Sequence, residues 1–390
     1  MTSAAVPRPA PSDRYPAPAG RTPPDLASWV GFRSIFGTGG ATLWALIRGF
    51  GDLSLAWRAG RAELVAAGVP ESSALAIVEG RPALDPDRVL RAVEALGAQA
   101  VAWDDPAYPS QLREIPDPPP LLFVRGDVRV AAFERSVAMV GTRRMSPYGR
   151  QVTEAIAHGL AQRGLCVVSG MAAGIDSVAH RAALAAGGPT VAVWGTGLDD
   201  VFPPENARLA QEIARTGAVV TEYPLGMLAA KENFPQRNRL ISGLARGVVV
   251  VEAPLQSGAL ITARYAIEQN REVMAVPGDV FAVGCQGTNA LLFRGEARAV
   301  ACADEVLIAL GFDLQPQQLA MLPPVAPTDE EAALLRLLTA TPTHVDALCR
   351  ALGLPVHRVA AVLTMMEVRG LARHMGGGTY VAPAAARGGT

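Results

Sequence analysis

Seven short apolar runs limit what this chain can fold into more than any other feature. They lie at residues 137–140, 166–169, 190–194, 218–221, 248–252, 272–276 and 298–301. They are rich in valine and alanine and do not alternate apolar with polar positions. A strand of that kind needs cover on both faces, which is the situation inside a parallel sheet flanked by helices. Helical segments separate the runs. Repeated strand–helix units predict an α/β domain over residues 101–312, a Rossmann-like, doubly wound, mostly parallel sheet.

The flanks read differently. Residues 1–24 are rich in Ala and Pro and are expected to form a disordered tail. Residues 25–100 read as short helices punctuated by Gly37, Gly39, Gly51, Gly60, Gly68 and Gly80, a small helical domain. Such units grip a nucleic-acid backbone in some proteins and only pack in most. Residues 100–130 read as a Pro-rich passage into the sheet domain. Residues 313–328 carry four prolines and read as a linker. Three helices and a small hairpin then fill 329–384, the outline of a winged helix-turn-helix, with Thr328 as N-cap of the first helix.

The formal net charge of −1 rules out a global basic field, so any nucleic-acid binding must come from a local patch. The cysteines at 166, 285, 302 and 349 form no Cys-x-x-Cys pair and have no metal-ligand spacing with histidine, so reduced cytosolic thiols and no metal are expected. The sequence shows no signal peptide and no membrane-spanning apolar stretch, which points to a cytoplasmic protein.

Ligands of open α/β sheets sit outside the carboxyl ends of the strands, and here those ends are decorated. The first run ends in Gly141-Thr142-Arg143-Arg144, the second in Ser169-Gly170-Met171 and on to Gly174-Ile175-Asp176, the third in Gly195-Thr196-Gly197. Glycines let backbone N–H groups approach a phosphate at a helix start. Neither a dinucleotide fingerprint nor a Walker motif is present, so no cofactor is expected. A tight turn without ligand explains any one loop equally well; several converging loops favour a site.

A second signal is Lys231 to Gly243, in which Lys231, Arg237 and Arg239 surround Phe234 and Asn238. Cations for phosphates and a ring for a base suit single-stranded nucleic acid. The third is Glu252 to Thr262. Ser257 either caps the helix that follows or helps hold an anion, and Glu252 more plausibly orients loops than transfers protons. His180 lies one helical turn after Asp176, within reach of its carboxylate, but no nucleophile elbow accompanies Ser169, and no catalytic residues are assigned.

The ordered series Gly141-Thr142-Arg143, Ser169 through Asp176, Gly195 through Asp199, Phe234-Pro235-Gln236-Arg237-Asn238-Arg239, Ser257 through Ala263, Ala275-Val276-Pro277-Gly278 and Gly287-Thr288-Asn289 resembles the DNA-processing protein A (DprA/Smf) family over about residues 136–292. The resemblance implies a helical SAM-like domain before the core and a winged-helix-like domain after it. It also implies a recombination mediator that is not an enzyme. Such a protein would bind and protect incoming single-stranded DNA, help load RecA during natural transformation, and form a homodimer through the Rossmann-like domain. Carried over motif by motif, Arg143 and Lys231 contact phosphates and Phe234 stacks on a base. Arg237, Asn238 and Arg239 line the same pocket, with Gly141, Thr142, Gly170, Ser257 and Thr262 around it. Two positions depart from the family pattern. Asn270 stands where glycine is usual and tolerates the same left-handed turn, and Phe202 replaces a tyrosine.

Two other readings compete. One is a nucleotide-binding or nucleotide-processing enzyme, although Gly195-Thr196-Gly197 lacks the following glutamate of the phosphoribohydrolase signature. The other is a transcription regulator read out by the tail, whose third helix, 355–369, carries few cations for a major-groove reader.

Overall fold

A computed structural model describes residues 25–127, 135–312, 328–339, 342–368 and 371–381. The expected tail at 1–24 and nearly all of the linker lie outside those residues. The chain divides into two compact units, residues 1–314 and 315–390.

The described residues of the first unit open with six helices: α1 (Leu26–Ser34), α2 (Gly40–Phe50), α3 (Leu53–Ala56), α4 (Arg61–Ala66), α5 (Glu71–Gly80) and α6 (Pro86–Ala95). Aspartates at the N-caps of α1, α3 and α6 accept backbone N–H groups that the helix leaves unpaired. A sheet of nine strands follows. Its strands are β1 (Ala98–Ala102), β2 (Leu121–Gly126), β3 (Ser136–Val140), β4 (Cys166–Ser169), β5 (Thr190–Val193), β6 (Ala218–Thr221), β7 (Gly247–Val250), β8 (Glu272–Ala275) and β9 (Arg298–Ala299). The helices between them are α7 (Ser110–Arg113), α8 (Pro147–Gln162), α9 (Ile175–Ala185), α10 (Ala207–Thr216), α11 (Asn233–Gly243), α12 (Gly258–Glu268), α13 (Gln286–Phe293) and α14 (Ala303–Ala309).

The strand order is β1-β2-β6-β5-β4-β3-β7-β8-β9, parallel from β6 to β9. Every residue of β3 to β7 is buried, as uninterrupted apolar runs require. Each such valine contributes about 1.5–3 kcal/mol by leaving water.

β1 and β2 are the correction to the sequence reading. They pair antiparallel with each other, and β2 pairs antiparallel with β6. Both fall in or beside the stretch read as a Pro-rich passage. Gly126 and the prolines up to Pro120 bracket a fully buried run, Leu121 to Val124, that the turn residues obscured. The strands join the helices to the sheet. Trp44 of α2 meets Trp103 edge-on at 5.1 Å, Trp103 meets Tyr108 at 5.4 Å, and the Trp44 indole donates to the Pro118 carbonyl at 2.9 Å.

The second unit contains α15 (Asp329–Leu337), β10 (Thr343–His344), α16 (Val345–Leu352), α17 (Val356–Val368), β11 (Arg373–Gly376) and β12 (Thr379–Val381). Thr328 and Glu331 form a capping box on α15, and Gly353 ends α16 in the left-handed region. The strands order as β10-β12-β11 around a core of Leu334, Leu348, Val359, Leu363 and Met366, the winged helix foreseen from the sequence. No single described helix is long and apolar enough to cross a membrane.

Candidate functional site

Successive strands step outward from β3 through β4, β5 and β6, and the chain then returns to lay β7 on the other side of β3. The carboxyl ends of β3 and β7 therefore flank a switch point, where the following loops part and leave a crevice. The Thr142 N–H donates to the Glu252 carbonyl across it at 2.7 Å. The Glu252 carboxylate is buried and accepts the Ser146 N–H at 2.9 Å and its hydroxyl at 3.1 Å. Ser146 in turn caps α8. Glu252 thus orients loops, as its place at a strand end suggested.

The loop after β4 is folded tightly under this one. Met171 adopts φ 55°, rare for a side-chain-bearing residue. Gly174, at φ 84°, passes so close that a Cβ would overlap the Thr142 and Arg143 carbonyl oxygens. The Asp176 carboxylate accepts the Gly170 N–H at 3.1 Å. Burial pushes its pKa up, against the pull of the nearby Arg237. A Cβ on Gly170 would come within 2.7 Å of the Arg237 guanidinium.

α11 supplies the opposing wall. Asn233 donates to the Gly195 carbonyl at 3.0 Å. Arg237 is buried beneath the crevice and donates to the Gly170 carbonyl at 3.0 Å and to that of Val193, binding two strand ends together. Burial lowers its pKa to about 10, so it remains charged at neutral pH. Asn238 donates to the Gly258 carbonyl at 3.3 Å, at the start of α12, where Ser257 accepts the Ala259 N–H as N-cap.

These contacts enclose an open cavity of about 680 Å³. Nine of the residues singled out from the sequence line it: Gly141, Thr142, Arg143, Lys231, Phe234, Arg237, Asn238, Ser257 and Thr262. Gly170 lines a smaller cavity of about 190 Å³ that shares the Arg143, Phe234 and Arg237 walls. Phe234 sits at the junction, with the Arg143 guanidinium 5.7 Å from its ring centre and the Phe202 ring at 5.3 Å. Arg144, the last residue of the first motif, also lines the larger cavity, although the family resemblance assigns it no contact. Arg143, Arg144 and Lys231 are exposed and make no ion pair among the described residues.

Arg239 is not brought to the cavity. Its guanidinium holds the Glu222 carboxylate with two bonds of 2.7 and 2.8 Å and reaches Asp117 at 3.1 Å. Burial works against its charge, but Glu222 and Asp117 outweigh that and raise its pKa. His180 likewise does not meet Asp176: its ring bonds the Thr190 hydroxyl at 2.6 Å. Ser169 donates to the Met139 carbonyl and lies beside the Asp176 carboxylate, but His180 bonds Thr190 instead of either, so the three form no triad.

Residues 99–311 match the family described as DNA recombination-mediator protein A. The chain belongs to that family. Residues 318–378 match its DprA winged helix domain. Protein Smf of Synechocystis is 35% identical, the match covering 91% of this chain and 98% of the relative. DNA processing protein DprA of Streptococcus pneumoniae is 43% identical over 53% of this chain and 73% of its own. The solved structure of that family member superposes with a TM-score of 0.65 at 32% identity, covering 75% of this chain and all of the other. A structure reported for the single-stranded DNA binding mode of the Helicobacter pylori family member reaches a TM-score of 0.50 at 31% identity, over 55% and 95% of the two chains.

Proposed function

We propose that the crevice at the carboxyl edge of the sheet binds single-stranded DNA. In this reading the chain is a cytoplasmic recombination mediator. It protects incoming DNA and helps load RecA during natural transformation. One observation carries the DNA reading. Three exposed cations without an ion pair among the described residues, Arg143, Arg144 and Lys231, line a cavity that also presents the ring of Phe234. Cations that have no ion-pair partner among the described residues suit phosphates, and a ring beside them suits a base, whatever its identity. The single-stranded DNA binding reported for the Helicobacter pylori family member supports the same assignment. Homodimerisation is part of the proposal. Phe281 and Phe293, about nine-tenths exposed, lie in the segment after β8 and offer apolar surface for a second copy.

The winged helix fits DNA reading less well. Among the cations of α17 whose side chains are described, Arg358 pairs with Glu330 at 2.6 Å, while Val356 and Met365 face solvent.

The test is fluorescence-anisotropy binding of labelled single-stranded and duplex oligonucleotides to the wild-type chain and to Arg143→Ala/Lys231→Ala. Preferential single-strand binding that the double variant loses, without a change in Tm, is expected. Equal duplex binding by both proteins would move the site elsewhere.

A further inference from the structure

The first two turns of α11 contain the pocket-lining Phe234, Arg237 and Asn238, and apart from Pro235 no aliphatic side chain precedes Leu240 and Ile241. Apolar packing is non-directional, and before Leu240 it rests on Phe234, whose ring meets Phe202 at the cavity, so it does not by itself set the rotation of those turns. Directed polar contacts must do so. Arg237 and Asn233 provide them on the pocket side. On the other side stands Arg239.

We propose that Arg239 is a positioning residue: its buried pair with Glu222, tied by Arg33 to the N-terminal helices, sets the seat of α11 and hence the affinity of the pocket. The inference rests on the single-stranded DNA reading above. Two parallel N–H···O bonds permit one mutual orientation of guanidinium and carboxylate. The side chains are only 11% and 9% exposed. Such a buried pair adds little net stability compared with apolar groups of similar volume, so orientation is its main contribution. The Gln269 amide of the α12 C-cap also donates to the Arg239 carbonyl at 2.9 Å, fixing the backbone at the same point.

Glu222 is held from its other side. One Arg33 nitrogen donates to the Glu222 carbonyl at 2.7 Å, and another donates to the Thr38 carbonyl at 2.7 Å. A single guanidinium thereby fastens the turn after α1 to the residue that follows β6. The N-terminal helices act on the pocket through this chain of contacts, from Thr38 to Arg33, Glu222, Arg239 and α11.

The experiment measures single-stranded DNA affinity of the full chain across a salt series for three variants: Arg239→Met/Glu222→Met, Arg33→Leu and Arg239→Lys. Tm and circular dichroism confirm that each is folded at the assay temperature. The first two are expected to bind roughly tenfold more weakly, the scale of a lost base stack. Their slopes of log Kd against log salt should match wild type, because no phosphate contact is removed. Arg143→Ala should instead flatten the slope by about 0.7. Arg239→Lys keeps the charge but not the fork, and should fall between wild type and the double variant even if the latter fails to fold. Wild-type affinity in any folded variant, or a flattened slope for Arg239→Lys, overturns the proposal. If Arg143→Ala/Lys231→Ala also binds like wild type, the DNA reading itself has failed; if that control loses binding, only the positioning role has.

Discussion

His180 should make the first unit sensitive to mild acid, and the size of the effect follows from its surroundings. Its ring is fully buried. The Thr190 hydroxyl donates to the Val167 carbonyl at 2.6 Å, so it can only accept from the ring, which places the imidazole proton on Nδ1. Nε2 then carries a lone pair and has no partner among the described residues. Protonating it would put a charge in an apolar site. Burial, helped by the nearby Arg181 and Arg237 cations, lowers the pKa to about 3. The unfolded chain titrates near the ordinary value of about 6.5, so between those values the unfolded state binds the extra proton. Stability is therefore full above pH 6.5 and falls as the pH drops toward 3. From pH 7 to pH 5 the loss amounts to about 2 kcal/mol. His180→Asn keeps a donor for Thr190 and removes the titration. All five tryptophans lie in the first unit, so denaturant unfolding followed by tryptophan fluorescence reports on it alone. The variant should be less stable at pH 7 yet lose about 2 kcal/mol less than wild type between the two pH values. Equal losses in both proteins would refute the buried neutral imidazole.

Other perturbations test how the pocket loops are held. Glu252→Ala removes the acceptor of two bonds from Ser146, each worth about 1.5–3 kcal/mol to a charged partner, and should lower Tm and weaken DNA binding together. Unchanged thermal melting would contradict the bonding. Gly174→Ala drives a methyl group into the Thr142 and Arg143 carbonyls at a positive φ, a cost of about 1–3 kcal/mol, and should displace Arg143 enough to reduce DNA affinity. Wild-type affinity and Tm in this variant would show that the loops are not in contact.

What the sequence made legible was whatever depends on neighbours in the chain. Uninterrupted valine runs announced strands covered on both faces, and Ser257 and Thr328 announced the helices they cap. The glycines at strand ends marked loops that converge on one edge. What stayed hidden depends on what lies opposite in space. Arg239 looks like its neighbours in a basic segment, but Glu222 and Asp117 decide its role, and they reach it only after β6 and the prolines before β2 are in place. His180 has helical spacing to Asp176, yet Asp176 turns back to the Gly170 N–H while Thr190 captures the imidazole. β1 and β2 escaped notice because an alanine-rich strand and a run behind three prolines lack the valine signature of the others.

The return of β7 to the side of β3 has a consequence for the order of assembly. Val137 of β3 pairs with Val167 of β4, close by in the chain, but with Gly247 of β7 only much later in it. A chain emerging from the ribosome can lay down β3 to β6 while the second margin of β3 is still bare. Arg143 exists by then, but Ser257 and Thr262, which close the cavity, have not been made. A nascent or truncated chain ending before α12 therefore has no complete crevice in which to hold a nucleic acid. The same late seam runs beneath the finished crevice, so a fluctuation that parts β3 from β7 would separate its two walls and let go of whatever they held.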